Sequence, residues 1–257
     1  MPALPLSTSV RDLEREVSTR LADIADDAAG GALEPAVGLL AGAIRAGGVV
    51  QAFGTGHSEA FAMEIAGRAG GLIPTNKVAL RNVVLHGEHT VAELAGDPPL
   101  ERDPRIADDL FATIVRDPAD VFVIASNSGV NGSVVGLALL AQQHGHQVVA
   151  VTSLLHTARV TPKHPSGKRL SEIADVVIDN RAPYGDATLQ GPGGVGVGAV
   201  SSITSAFIAQ LLTIGVAEHL ATAETPAPLY LSANIPGGDE HNRTLEARYG
   251  ERILRYA

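Results

Sequence analysis

Residues 121–133 read VFVIASNSGVNGS, an apolar run followed at once by a loop rich in serine, asparagine and glycine. The run Val121–Ala125 predicts a buried strand, because short β-branched and aromatic runs bounded by turn residues are typical of strands. The apolar stretch from Val134 to His144 predicts a helix after the loop. A strand, a polar loop and a helix in this order indicate an α/β fold with a parallel sheet.

The same unit occurs earlier in the chain, where Val49–Phe53 precedes the loop Gly54–Ser58 and a helix predicted over Glu59–Ala69. Three more strands are predicted from short apolar runs: Val78–Leu85, Gln147–Thr152 and Val176–Asp179. Repeated units of this kind put helices on both faces of one sheet.

Further helices flank the predicted sheet. The N-terminal extension, residues 1–47, has apolar residues at helical spacing over Val10–Asp27 and again over Glu34–Arg45. The apolar helix predicted over Val200–Leu220 is assigned to the core or to a subunit interface, because several polar residues interrupt it. Residues 232–257 read as a polar loop that leads into a charged tail helix.

Composition limits the classes of function. The chain is acidic, with a net charge of −9, and has no dense run of lysine and arginine that would attract nucleic acid or an anionic membrane. It contains no cysteine, which excludes disulfides, thiolate metal sites and thiol nucleophiles. The first eight residues lack the pattern of a signal peptide, so we expect a cytoplasmic protein. No linker or repeat divides residues 1–257, which predicts one domain.

The loop after Ala125 offers five polar side chains to a ligand: Ser126, Asn127, Ser128, Asn131 and Ser133. These hydroxyl and amide groups come directly before a helix, and the first N–H groups of a helix favour an anion. The loop can therefore bind a phosphate without a cation. Capping and turn formation would use one or two of these side chains and leave the others for a ligand.

The loop after Phe53 contains Gly56, His57 and Ser58 and is followed by Glu59. Its glycines allow a ligand to approach the backbone closely. A dinucleotide-binding turn would have glycine where Glu59 stands, and a carboxylate there would repel a pyrophosphate. Two interpretations stay open: contact with a phosphorylated ligand, or a tight turn with Ser58 as the helix N-cap.

The two loop patterns together, Gly54-x-Gly56-x-Ser58 and Ser126-x-Ser128-Gly129, resemble the sugar isomerase (SIS) domain. Within that superfamily the chain is similar to the UPF0309 group, related to the N-acetylmuramic acid 6-phosphate etherases. Further segments extend the resemblance over nearly the whole chain: Arg68–Gly71, His164–Lys168, Asp179–Asn180, Tyr184–Asp186 and Ser232–Asn242.

The resemblance implies a three-layer α-β-α sandwich with a parallel five-stranded sheet and N-terminal helices. It implies a phosphosugar ligand whose phosphate lies on Ser126, Ser128 and neighbouring donors, although Asn131 stands where many SIS loops have threonine. It also implies a homodimer in which both subunits border the site. No cofactor is expected.

A phosphosugar enzyme of this kind needs a base beside the sugar carbonyl. Glu64 is the first candidate, with Arg68 one helical turn later to orient it. Glu59, nearer the loop, is the second. The alternative for Glu64 and Arg68 is an ion pair on the protein surface.

Two histidines are candidates for proton transfer to oxygen and for ring opening. His86, with Glu88, follows a predicted strand end, although a solvated loop explains both residues equally well. His241 lies near the start of the tail helix, and related SIS enzymes often have a ring-opening histidine near a helix start. A helix-capping segment is the alternative for His241. The nine histidines are scattered, and no metal site is predicted.

The leading hypothesis is a lyase that eliminates water across C2 and C3 of an N-acetylhexosamine 6-phosphate such as N-acetylglucosamine 6-phosphate. Glu64 would take the proton from C2, and His86 or another acid would protonate the departing oxygen. An aldose–ketose isomerase would use much the same groups. Deamination with isomerisation and a non-catalytic sugar-phosphate sensor are further alternatives.

Overall fold

The computed structural model describes residues 6–97, 99–222 and 226–254, with side chains from residue 9 onward. Five parallel strands form one sheet in the order β2-β1-β3-β4-β5. The strands are β1 Val50–Gly54, β2 Thr75–Val78, β3 Val121–Ala125, β4 Gln147–Thr152 and β5 Val176–Asp179. The predicted α/β class and the parallel five-stranded sheet are confirmed.

The two central strands, β1 and β3, are buried along their whole length. Val50 pairs with Val121 and Gly54 pairs with Ala125, so the two strands end at the same level. From β1 the chain moves outward to β2 on one side, and it then crosses to β3 on the other side. The loops after β1 and β3 therefore diverge at the carboxyl edge of the sheet, which is where open α/β sheets bind ligands.

Helices cover both faces of the sheet. One hydrophobic core joins the sheet to α2, α3 and α9, and a second joins its other face to α6 and α7. The α-helices of the described residues are α1 Leu6–Ala29, α2 Glu34–Arg45, α3 Glu59–Ile65, α4 Asn82–Leu85, α5 Val91–Leu94, α6 Ile106–Ala112, α7 Gly132–Gln143, α8 Leu154–Thr157, α9 Ser201–Leu220 and α10 Gly238–Glu246. The result is the predicted three-layer sandwich.

Among the described residues, α9 alone has the length and composition of a membrane span. Ile208, Leu212 and Val216 of α9 are fully buried in the core that it shares with α2 and α3. Gly215 allows α9 to lie close to α2, because a Cβ atom there would come within 2.8 Å of a methyl group of Val37. We therefore assign α9 to the helical layer of the sandwich, where its buried face packs on the core.

Two details of the sequence prediction were wrong. Residues 78–85 do not form a strand, because β2 ends at Val78 and α4 begins at Asn82. The strand lies earlier, where the polar residues Asn76 and Lys77 hide it from a search for apolar runs. The helix α3 ends at Ile65 rather than Ala69, since the backbone of the following residues turns to extended and then to positive φ.

A glycine-rich hairpin that the sequence did not predict precedes α9. Its strands, β6 Ala187–Gln190 and β7 Gly196–Ala199, are antiparallel. Glycine is unfavourable in strands, so composition gave no signal for them. The hairpin leads the chain from β5 to the start of α9 at the carboxyl edge of the sheet.

The two ends of the chain pack as helices around the sheet. The N-terminal extension forms α1 and α2, and the tail contains the short charged helix α10. The segment before α10 lies antiparallel to Gly70–Ile73, with backbone hydrogen bonds from Ile73 to Pro228 and from Tyr230 to Gly71. Residues 1–5 and 255–257 of the predicted extension and tail lie outside the described residues.

A buried polar network closes the amino edge of the sheet around Asp120, the residue before β3. Its side chain is fully buried and accepts hydrogen bonds from the backbone of Val49 (2.8 Å) and from Nε2 of Gln51 (2.9 Å). Arg252 of the tail forms an ion pair with the same carboxylate. Asn76 Nδ2 donates to Oε1 of Gln51 at 2.8 Å and so links β2 to the network.

Candidate functional site

The loop after β3 is held in a fixed turn at the carboxyl edge. The Oγ atom of Ser126 accepts a hydrogen bond from the backbone N–H of Gly129 at 3.1 Å. Gly129 has φ +64°, and a Cβ atom there would lie 3.2 Å from the hydroxyl groups of Thr152 and Thr157. The carbonyl of Gly129 accepts from the N–H of Leu170 at 2.8 Å. Glycine is therefore required for both conformation and space.

The N-terminus of α7, which follows this loop, has no protein cap. Asn131 is the N-cap residue, but its side chain makes no capping hydrogen bond. The hydroxyl of Ser133 is also directed elsewhere and donates to the carbonyl of Glu101 at 2.8 Å. Within the described residues, nothing accepts a hydrogen bond from the backbone N–H groups of Gly132, Ser133 and Val134. These backbone donors lie at the positive end of the helix dipole, where N–H groups without a protein acceptor favour an anion.

Asn127 is oriented by the next loops along the sheet. Its Oδ1 atom accepts from Nδ2 of Asn180, which follows β5, at 3.1 Å. Its carbonyl accepts from the N–H of Ser153, which follows β4, at 3.2 Å. Asn180 is buried, and its Oδ1 accepts from the N–H of Ala182 at 3.0 Å. Because Oδ1 of Asn127 is engaged, its NH₂ group is directed away from Asn180.

The loop after β1 forms a single turn of 3₁₀-helix, Gly56–Ser58, that leads directly into α3. Gly56 has φ +55°, and Gly54 leaves no room for a Cβ atom against the carbonyl of Ser58. His57 is exposed, and its carbonyl lies 3.5 Å from the hydroxyl of Ser202 at the start of α9. The hydroxyl of Ser58 does not cap α3. Ser58 therefore stands at the predicted N-cap position of α3 but makes no capping hydrogen bond with its side chain, and a ligand contact through Gly56, His57 and Ser58 stays a prediction.

Glu59 lies in a cluster of charges beside β2. Its Oε1 atom is 2.7 Å from a guanidinium nitrogen of Arg81 and 4.0 Å from Nζ of Lys77. Burial lowers the pKa of Lys77, Arg81 lowers it further, and Glu59 partly offsets both. The carboxylate of Glu59 is thus balanced by two cations.

Glu64 is held between α3 and α9. Its carboxylate pairs with Arg68, which follows the end of α3, and accepts from Nε2 of Gln210 on α9 at 2.6 Å. The predicted contact between Glu64 and Arg68 is therefore present. A catalytic role for Glu64 stays a prediction.

The two predicted histidines have different surroundings. His86 follows α4 and is exposed, as is Glu88, and within the described residues neither side chain has a hydrogen-bonded partner. The Nε2 atom of His241 lies 2.9 Å from the carbonyl of Leu229, on the segment beside Leu72. No described hydrogen bond joins either histidine to the loops after β1 and β3.

Two residues near the loops were missed by sequence reasoning. Glu101, between α5 and α6, lies 3.4 Å from Nδ2 of Asn131. The Nζ atom of Lys163 lies 3.4 Å from Oδ1 of the same Asn131. One indication of Lys163 was present in the sequence, because this residue directly precedes His164–Lys168, one of the segments that carry the family resemblance. The segment around Glu101 has no periodicity or motif that would have selected it.

A second helix start at this edge differs from that of α7. The carboxylate of Asp186 caps α9, accepting from the backbone N–H of Ser201 at 2.8 Å and of Val200 at 3.1 Å. The hydroxyl of Ser201 donates to the other carboxylate oxygen at 2.7 Å. At α9 the carboxylate of Asp186 thus accepts hydrogen bonds from backbone N–H groups, whereas the equivalent N–H groups at the start of α7 have no acceptor among the described residues.

His156 lies beside the loop after β4. Its ring stacks on Tyr184 with centroids 5.2 Å apart, and its Nδ1 accepts from the backbone N–H of Gly185 at 2.9 Å. Burial lowers the pKa of His156, and the charge of Asp186 partly opposes this shift. Over the described ranges no cluster of three or more His, Asp or Glu side chains has the arrangement of a metal site.

A parallel five-stranded sheet with helices on both faces defines the class of three-layer α/β sandwich domains, and comparison with known proteins identifies the family. The family model described as SIS domain matches residues 14–153. A UPF0309 protein of Geobacillus kaustophilus is 34% identical over 222 residues, which cover 86% of each chain. One of Brucella canis is 37% identical over 238 residues, or 92% of this chain and 94% of its own. The chain therefore belongs to the UPF0309 family of SIS-domain proteins.

Solved structures share this fold at low sequence identity. The phosphoheptose isomerase of Francisella tularensis matches with a TM-score of 0.55 and 14% identity, covering 84% of this chain and all of its own. The phosphoheptose isomerase of Neisseria gonorrhoeae matches with a TM-score of 0.54 and 17% identity over the same shares. At these identities the likeness establishes the fold.

Proposed function

We propose that the protein binds a sugar phosphate in the crevice between β1 and β3, with the phosphate on the first turn of α7. One observation carries the proposal: the N–H groups of Gly132, Ser133 and Val134 converge without a protein acceptor. A dianionic phosphate satisfies such donors and is stabilised by the helix dipole. Ser128 supplies a further hydroxyl, since it has no hydrogen-bonded partner among the described residues.

The reaction we propose is proton transfer beside the carbonyl of the open-chain sugar, with aldose–ketose isomerisation as the outcome. Isomerisation needs one group that moves a proton from C2 to C1. The phosphate fixes the sugar at one end, and this remote binding energy aligns the reacting carbons. The isomerases that share the fold act on phosphosugars, in agreement with this choice.

Dehydration of N-acetylglucosamine 6-phosphate is the second candidate. It starts with the same proton transfer but also needs an acid for the oxygen that leaves C3. His86, the predicted acid, is exposed and has no described hydrogen bond to either loop, which favours isomerisation. We also propose a cytoplasmic location, since charged sugar phosphates do not cross lipid bilayers unaided.

The function is tested by incubating the pure protein in D₂O with N-acetylglucosamine 6-phosphate, glucose 6-phosphate and ribose 5-phosphate. With at least one of them we expect a new ketose of unchanged carbon skeleton with deuterium at C1, and deuterium at C2 of the recovered aldose, both followed by NMR and mass spectrometry. Loss of water from the sugar would establish the lyase instead. Binding by calorimetry without exchange would identify a sensor, and absence of binding to all three would refute the proposed site.

A homodimer is part of the proposal, and α9 carries the surface for it. Ile203, Phe207 and Ile214 share one face of α9 by their spacing, and Ile203 and Ile214 are 42% and 53% exposed. Gln210, which holds Glu64, lies on the same face. A second subunit on this face would therefore border the contact between Glu64 and Gln210.

The dimer is tested by light scattering on Ile214→Glu, which should halve the molar mass. Val115→Glu is the matched control, because Val115 is a 49% exposed apolar residue on another surface. A dimer that persists in Ile214→Glu would exclude this face as the interface.

A further inference from the structure

A carboxylate other than the two predicted candidate bases, Glu64 and Glu59, lies between the loops after β1 and β3. Glu101 is part of a single 3₁₀ turn, Leu100–Arg102. Its Oε1 atom lies 3.4 Å from Nδ2 of Asn131, in the loop after β3. Its Oε2 atom lies 3.7 Å from the position that a Cβ atom on Gly56 would take, in the loop after β1. Glu101 therefore faces both loops at the centre of the sheet.

The backbone of Glu101 is fixed by the same helix turn that presents the phosphate donors. The buried hydroxyl of Ser133 donates to the carbonyl of Glu101 at 2.8 Å. The next carbonyl, of Arg102, lies against Gly132 so closely that a Cβ atom there would be 2.5 Å from it. These two contacts fix the backbone of Glu101 against the first turn of α7.

Glu101 also differs from the other two carboxylates in its charge environment. Glu59 is paired with Arg81, and Glu64 is paired with Arg68. Among the ion pairs of the described residues, none includes Glu101. Its one side-chain hydrogen bond is to the neutral amide of Asn131, whose oxygen contacts Lys163. Within the described residues, no bound cation therefore has to be displaced before the carboxylate of Glu101 contacts a ligand.

We propose that Glu101, rather than Glu64, is the base that removes the C2 proton in this crevice. The inference rests on the proposed function. In the step, the C2–H bond breaks and the proton moves to the carboxylate of Glu101. The electron pair forms the C1–C2 double bond, and the carbonyl pair moves to the oxygen at C1, which gives an enediolate. The hydroxyl proton at C2 passes to the oxygen at C1, the C2 carbonyl forms, and the C1–C2 electron pair takes the proton back from Glu101 at C1, which gives the ketose.

The test compares Glu101→Gln with Glu64→Gln in the same deuterium exchange assay, together with binding of the sugar phosphate by calorimetry. Glu101→Gln should lower the exchange rate about 100-fold or more, the usual effect of removing a general base, with Kd within a few fold of wild type. Glu64→Gln should keep most of the exchange. Glu101→Asp, which retains a carboxylate at a shorter reach, should recover part of it.

Four results overturn the proposal. Glu101→Gln could exchange at the wild-type rate, or it could exchange faster and bind the sugar phosphate more tightly, in which case the carboxylate competes with the phosphate. Loss of exchange in Glu64→Gln alone would return the base role to Glu64. If the wild type neither binds nor exchanges any sugar phosphate, the proposed function fails and the base assignment falls with it, whereas the other results refute the base assignment alone.

Discussion

The two edges of the parallel sheet treat polar groups in opposite ways. At the amino edge, the buried carboxylate of Asp120 accepts from Val49 and Gln51 and pairs with Arg252. At the carboxyl edge, the N–H groups at the start of α7 have no acceptor within the described residues, and Asn131 does not cap the helix.

The difference indicates that the amino edge of the sheet contributes mainly to stability, whereas the carboxyl edge contributes mainly to ligand binding. A buried charge must be paired and hydrogen-bonded, so the amino edge holds β1, β3 and the tail together. Unpaired donors cost stability, and a protein keeps them where a ligand will satisfy them. Mutations at the two edges should therefore have separable effects.

The largest effect is expected from Asp120→Ala. Removing the carboxylate leaves Arg252 and Gln51 without their partner, and loss of one member of a buried ion pair costs about 3–5 kcal/mol. Denaturant unfolding measures this loss, and the folded variant should still bind the sugar phosphate normally. Asp109→Ala is the control, because Asp109 pairs with His89 at the surface, where such a pair contributes about 1 kcal/mol or less. A loss for Asp120→Ala as small as the control would contradict the division between the edges.

The next effect belongs to the carboxyl edge. Ser128→Asp brings a negative charge to the proposed phosphate position, and we expect binding to weaken about 100-fold or more, which is roughly 3 kcal/mol. Its unfolding midpoint should stay close to wild type, since the Ser128 side chain has no described partner to lose. Calorimetry with the sugar phosphate gives the affinity. Ser18→Asp, at an exposed position of α1, adds the same charge and should bind the sugar phosphate normally. Equal affinities of the two variants would show that the phosphate does not bind beside Ser128.

Ser133→Ala should moderately lower both the stability of the fold and the rate of exchange at C2. The hydroxyl of Ser133 fixes Glu101, and a lost intramolecular hydrogen bond costs about 1 kcal/mol of stability. Because Glu101 then loses its anchor, we expect exchange at C2 to fall about tenfold, an effect in keeping with a misplaced catalytic group. The matched change is Thr244→Ala, whose hydroxyl donates to Glu240 on α10, away from the crevice. Unaltered exchange in Ser133→Ala would count against an anchoring role.

The smallest effect concerns pH. The pKa of His156 is lowered in the folded protein by burial, so the unfolded chain binds the proton more readily. Stability should therefore fall as the pH drops through about 6.5, the ordinary pKa of histidine, and level off below the native pKa. His156→Asn keeps an acceptor for Gly185 and removes the titration, so its Tm between pH 5 and 8 should depend less on pH than that of wild type.

Much of the fold and of the phosphate loop could be predicted from the sequence, because both depend on local order. The run Val121–Ala125 is apolar enough to predict a buried strand, and the polar residues directly after it predict hydrogen bonds to protein or ligand groups. Both predictions depend on this segment alone and not on residues elsewhere in the chain. The strand Thr75–Val78 was missed because its neighbour in the sheet, β1, buries its polar side chains and satisfies Asn76 through Gln51. That partner is distant in the sequence.

Glu101 could not be predicted for the same reason. Its position depends on the packing of an irregular turn against Gly132 and on the hydroxyl of Ser133, thirty-two residues further along the chain. By contrast, Glu64 and Arg68 are only four residues apart, so the sequence could indicate their pairing even though α3 ends at Ile65, between them. Sequence reasoning thus found the carboxylate with a local partner and missed the one placed by tertiary packing.

The contact of Asp186 with α9 is a permanent, covalently tethered version of the complex proposed at α7. It joins a carboxylate to two backbone N–H groups and a serine hydroxyl at 2.7–3.1 Å, the same donor types that α7 and its loop provide. Since the tether removes the entropic cost of association, added salt should not displace this internal anion at concentrations that compete away a diffusing one. Replacing Asp186 by a neutral residue would leave the N–H groups at the start of α9 without their acceptor. The protein would then have two helix starts that can bind the same kind of anion, and its selectivity for a single binding mode would decline.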